Sequence, residues 1–134
     1  MKYIFFYTLL LSLVSCKNST KTYNEGAILY KRHCENCHMS DGSGLEALYP
    51  PLAKADMLKN LGVKAACIIK YGLHGKILVN GIEFDTGMDP VQNLSDVEIT
   101  NILNYIHNAW GNRKQFIQLN EVTHTLENCK TQIK

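Results

Sequence analysis

The stretch Cys34-Glu35-Asn36-Cys37-His38 is the most informative part of this 134-residue chain. Two residues separate the cysteines, so both sulfurs fall within one helical turn, and a histidine follows directly. In this sequence form two thioether bonds attach a haem c, and the histidine ligates its iron. A thioredoxin-like redox pair would need a strand before the motif, and a zinc site would need a second ligand pair. A simple disulfide would leave His38 without a role. The motif therefore predicts one covalent haem.

Upstream of the motif, the N-terminus has the pattern of an export segment. Lys2 is followed by an uncharged run over residues 3–14, too short to span a bilayer comfortably. Leu13-Val14-Ser15-Cys16 resembles the bacterial lipobox, in which the cysteine is acylated and becomes the first mature residue. We expect a lipoprotein signal peptide at 1–15, a lipid on Cys16 and a flexible polar tether at 16–23. The alternative is an ordinary cleaved secretory peptide.

Residues from about 26 to 112 resemble a class I c-type cytochrome domain. The resemblance rests on separate stretches in the family's order: Gly26-Ala27-Ile28-Leu29-Tyr30, Asp41-Gly42-Ser43-Gly44, Tyr49-Pro50-Pro51-Leu52, Tyr71-Gly72-Leu73-His74-Gly75, Val79-Asn80-Gly81, Met88-Asp89-Pro90, Leu94-Ser95-Asp96 and Trp110-Gly111-Asn112. It implies an all-α fold of about four to five helices around one covalent haem. The domain would occupy residues 24–112, followed by a C-terminal extension at 113–134 with a short helix.

The last helix of that domain can be predicted from the residues themselves. Ser95 with Glu98 three positions later forms a capping-box pattern, and Gly111 is expected to end the helix. Apolar residues recur at helical spacing between them: Val97, Ile99, Ile102, Leu103, Ile106 and Trp110.

The first helix is expected to cross the last one. Asn24 is available as its N-cap, and Gly26 lies four residues before Tyr30. A glycine at that spacing leaves room for close approach of another helix. We therefore expect Gly26 and Tyr30 to pack against Ile102 and Tyr105.

The family resemblance implies that Met88 is the second axial ligand of the iron. In the family a proline usually follows this methionine, whereas Asp89 intervenes here. Met39 is too close to His38 to reach the other face of the ring, and Met57 lies on an apolar helical stretch. His74 is the rival ligand, because a second imidazole would also complete the coordination of the iron and would lower its reduction potential.

On the histidine side, the resemblance implies a proline carbonyl about a dozen residues after His38. A ligating imidazole donates its other N–H to such an acceptor, which fixes the ring. Pro50 and Pro51 both fit, and the sequence does not choose between them.

Two cysteines remain after haem and lipid are counted. Cys67 lies in an apolar stretch over residues 63–69 that is predicted to be helical, and Cys129 shares a predicted C-terminal helical face with Leu119, Val122 and Leu126. An oxidising compartment favours a disulfide between them. The alternative, two small buried apolar residues, stays open.

Charge is nearly balanced at a formal +2, which excludes a strongly basic nucleic-acid surface. It is unevenly distributed, and the lysines could steer an acidic redox partner or be solvated charges. The basic set is Lys54, Lys59, Lys64, Lys70 and Lys76; the acidic set that follows is Glu83, Asp85, Asp89, Asp96 and Glu98.

The predicted function is single-electron transfer by an electron carrier that is not itself an enzyme. We expect it to be lipid-anchored to a bacterial membrane, to face the periplasm and to exchange electrons with a redox protein donor and acceptor. A haem peroxidase or a gas-binding subunit with a labile sixth ligand is the alternative, and a haem sensor is the third. The sequence indicates no oligomeric state.

Overall fold

The computed structural model describes residues 18–132, so the predicted signal peptide and Cys16 lie outside the described residues. Among residues 18–132, no helix is long and apolar enough to cross a membrane. Six α-helices are present in this range, with a 3₁₀ turn at Gly62–Lys64 between the third and the fourth. Their bounds are α1 Asn18–His33, α2 Glu35–His38, α3 Asp56–Leu61, α4 Ala65–Tyr71, α5 Asp96–Ile106 and α6 Leu119–Gln132.

A two-stranded antiparallel hairpin is added to the predicted helical fold. Strand β1 (Ile77–Val79) pairs with β2 (Ile82–Phe84), and Val79 lies opposite Ile82. The two connecting residues have positive φ, 51° at Asn80 and 80° at Gly81. An Asn-Gly pair favours this two-residue turn, which twists as the flanking strands do. The mainly helical fold is confirmed, and this hairpin departs from the predicted all-α class.

The crossing of α1 and α5 forms as predicted. A Cβ built on Gly26 would overlap the backbone carbonyl of Asn101 and lie 2.8 Å from the Tyr105 Cβ. The ring centroids of Tyr30 and Tyr105 are 5.3 Å apart, and those of Tyr105 and Trp110 are 5.4 Å apart. Only glycine allows this approach, because any side chain would meet main-chain atoms that cannot rotate away.

The start of α1 differs from the prediction. The helix begins at Asn18 rather than after Asn24, so residues 18–23 of the expected flexible tether are helical. Tyr23 explains part of the extension, because its ring centroid lies 5.1 Å from that of Tyr105. An aromatic contact of this kind offsets part of the entropy lost on ordering the segment.

Helix α5 begins as predicted and ends early. Ser95 accepts from the Glu98 backbone N–H, and the Glu98 carboxylate accepts from the Ser95 N–H at 2.9 Å, so the capping box is confirmed. The helix ends at Ile106, five residues before Gly111. Asn112 accounts for the difference, because its side-chain amide donates to the Ile106 carbonyl at 2.7 Å and thereby satisfies a helix-end acceptor.

Helix α6 packs on the domain and is covalently attached to it. Cys67 of α4 and Cys129 of α6 form a disulfide, with Cα atoms 6.0 Å apart. Val122 and Leu126 of α6 are buried. They join one continuous core, whose largest buried apolar members include Leu29, Tyr30, Leu58, Ile69, Phe84, Ile99, Ile102, Leu103 and Ile106.

Candidate functional site

A mostly apolar cavity of about 290 Å³ brings the predicted site residues together. Cys34, Cys37, His38 and Met88 all line it. Its apolar walls come from α3, α4, α5, β1 and the loops, and include Leu52, Met57, Leu58, Leu61, Ile68, Ile69, Leu73, Ile77, Val79, Val91, Ile102 and Ile106. Apolar walls with a few convergent polar groups are typical of a cofactor site.

The attachment motif is held by local backbone hydrogen bonds. The Cys34 N–H donates to the Tyr30 carbonyl at 2.8 Å, which continues the chain from α1 into the motif. The His38 N–H donates to the Cys34 carbonyl at 2.9 Å, so the motif is one helical turn. Burial, followed by the charge of Cys37, raises the pKa of Cys34 to about 12. The Cys34 sulfur therefore lines the wall as a neutral thiol.

The His38 ring is oriented by one proline. Its Nδ1–H donates to the Pro50 carbonyl at 3.0 Å, which leaves Nε2 as the free ring nitrogen. Both prolines line the cavity, and it is the Pro50 carbonyl that accepts the bond. Burial lowers the pKa of His38, against the opposing effect of the Pro50 bond, and this favours the neutral, ligating form.

The loop that carries Pro50 is fixed by a close backbone approach. Gly44 has a φ of 71°, and a Cβ there would lie 2.8 Å from the Pro50 carbonyl oxygen. A side chain at this position would displace the acceptor of the His38 bond.

Two further contacts position the segment after His38, and the sequence reasoning did not find them. The Tyr30 hydroxyl donates to the Met39 carbonyl at 2.6 Å, and the Trp110 indole N–H donates to the Ser40 carbonyl at 3.1 Å. The donors are 9 and 70 residues from their acceptors, so spacing within one motif could not reveal them.

The backbone of Met88 is hydrogen-bonded to Leu73, two residues past the end of α4. Its N–H donates to the Leu73 carbonyl at 2.8 Å, and its carbonyl accepts from the Leu73 N–H at 2.8 Å. Gly72 makes this approach feasible, because a Cβ there would lie 2.6 Å from the Met88 carbonyl oxygen. Downstream, Pro90 continues the segment past Asp89, with its Cδ 3.1 Å from the same Cβ position.

The rival ligands lie differently. His74 is exposed and is not among the residues that line the cavity, and its ring approaches Gly87 instead. Met57 is half-buried, packs against the core and also lines the cavity. Met88 and Met57 are therefore the two lining thioethers that a test of ligation has to separate.

These residues fit a haem c. Two thiols one helical turn apart suit two thioether bonds, a neutral imidazole with a free Nε2 suits the iron, and a thioether from Met88 suits the sixth position. Within residues 18–132, no cluster of three or more histidine, cysteine or acidic side chains could hold a free metal ion.

Comparison with known proteins shows the family to which this chain is similar. A family model described as Cytochrome c matches residues 23–110. The chain is 37% identical over 95 residues to Cytochrome c-552 of Thermus thermophilus, covering 68% of this chain and 72% of that protein. It is 32% identical over 93 residues to the cytochrome c subunit of the quinone alcohol dehydrogenase of Gluconobacter oxydans strain 621H, covering 66% of this chain and 19% of that subunit. The chain therefore belongs to the cytochrome c family, as a class I monohaem member that carries electrons through a covalently bound haem c.

Proposed function

We propose that this chain transfers single electrons between protein partners at a membrane surface, with His38 and Met88 as the axial ligands. The observation that carries the proposal is that Cys34, Cys37, His38 and Met88 line one apolar cavity. When bound, the haem iron alternates between ferric and ferrous states and so holds one electron. The side chains of this protein exclude water, fix the imidazole and present the thioether.

A fixed Met88 favours electron carriage over catalysis. Two backbone hydrogen bonds to Leu73 hold the methionine segment, and the Val91 N–H donates to the Ile69 carbonyl at 2.9 Å just beyond it. A haem peroxidase or gas-binding subunit requires the methionine to leave the iron. Each of these bonds opposes displacement of the backbone that carries the methionine, because the freed backbone groups would need new partners.

Carbon monoxide tests this choice. It binds ferrous haem only where a coordination position is open, so the dithionite-reduced protein should keep its spectrum under carbon monoxide. Met88→Leu should bind the gas and shift its spectrum, whereas Met57→Leu should behave like the natural chain. Rapid binding to the unmodified protein would contradict a closed sixth position and favour the ligand-binding alternative.

We further propose that an acidic partner docks beside the haem cavity. A cleft of about 490 Å³ shares Ala55 and Leu58 with the cavity wall. Four exposed basic residues line the cleft: Lys54, Lys59, Arg113 and Lys114. The one acidic residue among them, Asp56, already accepts the Asn80 N–H at 2.8 Å and the Met57 N–H at 2.7 Å.

Other lysines of the predicted basic side are already engaged. Lys70 donates to the Leu94 carbonyl at 2.8 Å, and Lys76 pairs with Glu83 at 2.7 Å. Among residues 20–129, whose side chains the structure describes, that is the one salt bridge, and none involves the cations of the cleft. Unpaired charge on one face accelerates encounters with an oppositely charged partner and is screened by salt.

Small oxidants of opposite charge test the cleft. Lys59→Gln combined with Lys114→Gln should slow oxidation of the reduced protein by anionic hexacyanoferrate(III) by about threefold or more at low salt. Oxidation by a cationic cobalt(III) phenanthroline complex should not slow. The control, Lys76→Gln combined with Lys70→Gln, removes the same net charge elsewhere. Equal slowing by both double variants would show only a net-charge effect.

Membrane attachment through Cys16 is the last part of the proposal. It is supported by the Leu13-Val14-Ser15-Cys16 motif and by the polar composition of the residues that follow it. One relative is the cytochrome c subunit of a quinone alcohol dehydrogenase, so a dehydrogenase of that kind is a suitable class of donor. Cys16→Ala expressed with haem-maturation factors should lose labelled fatty acid and leave the membrane fraction. Retention of the label would contradict the anchor.

A further inference from the structure

Helix α6 lies beyond the family-matched residues 23–110 and is fixed to α4 in two ways. The Cys67–Cys129 disulfide joins the helices, and the Tyr71 hydroxyl donates to the Leu126 carbonyl at 3.4 Å. Val122 is fully buried where α6 meets the domain. The extension is therefore tied to α4 both covalently and through packing.

The same α4 carries the contacts that hold Met88. The Ile69 carbonyl accepts from Val91, and Leu73, two residues past the helix end, exchanges two hydrogen bonds with Met88. Ile68 and Ile69 also line the haem cavity. Helix α4 thus lies in the chain of contacts between α6 and the methionine segment.

We propose that the disulfide-held helix α6 is a positioning element that keeps Met88 at the iron by preventing α4 from moving with the methionine segment. The inference rests on the proposed His38/Met88 ligation. The backbone segment of Met88 can move away from the iron in two ways: it breaks its bonds to Leu73 and Ile69, or α4 moves outward with those bonds intact. The second way preserves the hydrogen bonds. Attachment to α6 prevents this outward movement of α4. The disulfide keeps α6 attached even when its noncovalent contacts open transiently.

The consequence is a measurable affinity. An added ligand that replaces the methionine binds only the open form, so its apparent affinity rises in proportion to the open population. Imidazole binding to the oxidised haem protein reports that population. The double variant Cys67→Ser with Cys129→Ser should bind imidazole about tenfold more tightly than the natural chain.

Ser95→Ala is the matched control, because it removes the α5 capping box and weakens the fold while the disulfide, the Tyr71–Leu126 bond and the bonds between α4 and the methionine segment keep all their residues. A merely structural disulfide would raise imidazole affinity in both variants alike. Val122→Ala keeps the crosslink and removes buried apolar contacts of α6. This variant should raise the affinity for imidazole about threefold. If the double variant does not fold, the comparison of Val122→Ala with Ser95→Ala decides the question.

Met88→Leu separates the two proposals. If it binds imidazole much more tightly than the natural chain while the α6 variants match the control, the methionine is the ligand and the positioning role is wrong. If it binds imidazole no better than the natural chain, the ligation itself is wrong. Tighter binding in Met88→Leu and in the α6 variants, with the control unchanged, supports both.

Discussion

Replacing Gly26 by alanine should destabilise the protein although it improves the intrinsic helicity of α1. A Cβ at this position would overlap the Asn101 carbonyl group and lie 2.8 Å from the Tyr105 Cβ, so α1 and α5 would have to separate. Overpacking of this kind costs about 1–3 kcal/mol, and contact with main-chain atoms places it at the upper end. The gain from replacing a helical glycine is about 1 kcal/mol. The expected net loss in the free energy of unfolding is about 2 kcal/mol.

Urea denaturation of the oxidised haem protein, followed by far-ultraviolet circular dichroism, measures this loss. With a slope of about 2 kcal/mol per molar urea, the midpoint should fall by about 1 M. Glu25→Ala is the control, because Glu25 is an exposed neighbour in the same helix and alanine there adds helicity without a clash. A Gly26→Ala variant at least as stable as the natural chain would refute the reasoning about the crossing.

Three further perturbations test other contacts. Tyr30→Phe removes the 2.6 Å hydrogen bond to the Met39 carbonyl and should cost about 1 kcal/mol in the same urea assay. Asn112→Ala removes side-chain bonds to Lys54, Leu52 and Ile106 and should cost about 2 kcal/mol, measured as a lower melting temperature. Burial chiefly lowers the pKa of His107, so the unfolded chain binds the proton more readily, and stability should fall as the pH drops below about 6.5. Urea midpoints at about pH 7.5 and about pH 5 should therefore differ less in His107→Gln than in the natural chain.

The attachment motif and the α1–α5 crossing could be predicted because each is indicated by residues that lie close together in the sequence. Cys34, Cys37 and His38 belong to one helical turn, and the Ser95–Glu98 capping box spans three positions. Gly26 indicated a close approach, since few other roles require a glycine in the middle of a helix. The Asn80-Gly81 pair also indicated a turn, and the hairpin could have been inferred from it.

The remaining features depend on partners far apart in sequence. Asn112 ends α5 early and also binds the Lys54 N–H at 2.8 Å, which no pattern near either residue indicates. The choice of Pro50 over Pro51 depends on how the loop folds over Gly44. The helical start at Asn18 is explained in part by the contact of Tyr23 with Tyr105, an aromatic pair separated by most of the domain. Long-range packing decides these features, and it is settled only when the whole chain has folded.

The most direct test of the central claim is the absorption spectrum of the oxidised haem protein in the red region where sulfur-to-iron charge transfer absorbs. We predict that the natural chain and Met57→Leu show this weak band and that Met88→Leu lacks it. All three should give the same covalent haem spectrum after denaturation, which controls for attachment at Cys34 and Cys37. A band that survives in Met88→Leu and vanishes in Met57→Leu, or that is absent from the natural chain, would contradict ligation by His38 and Met88.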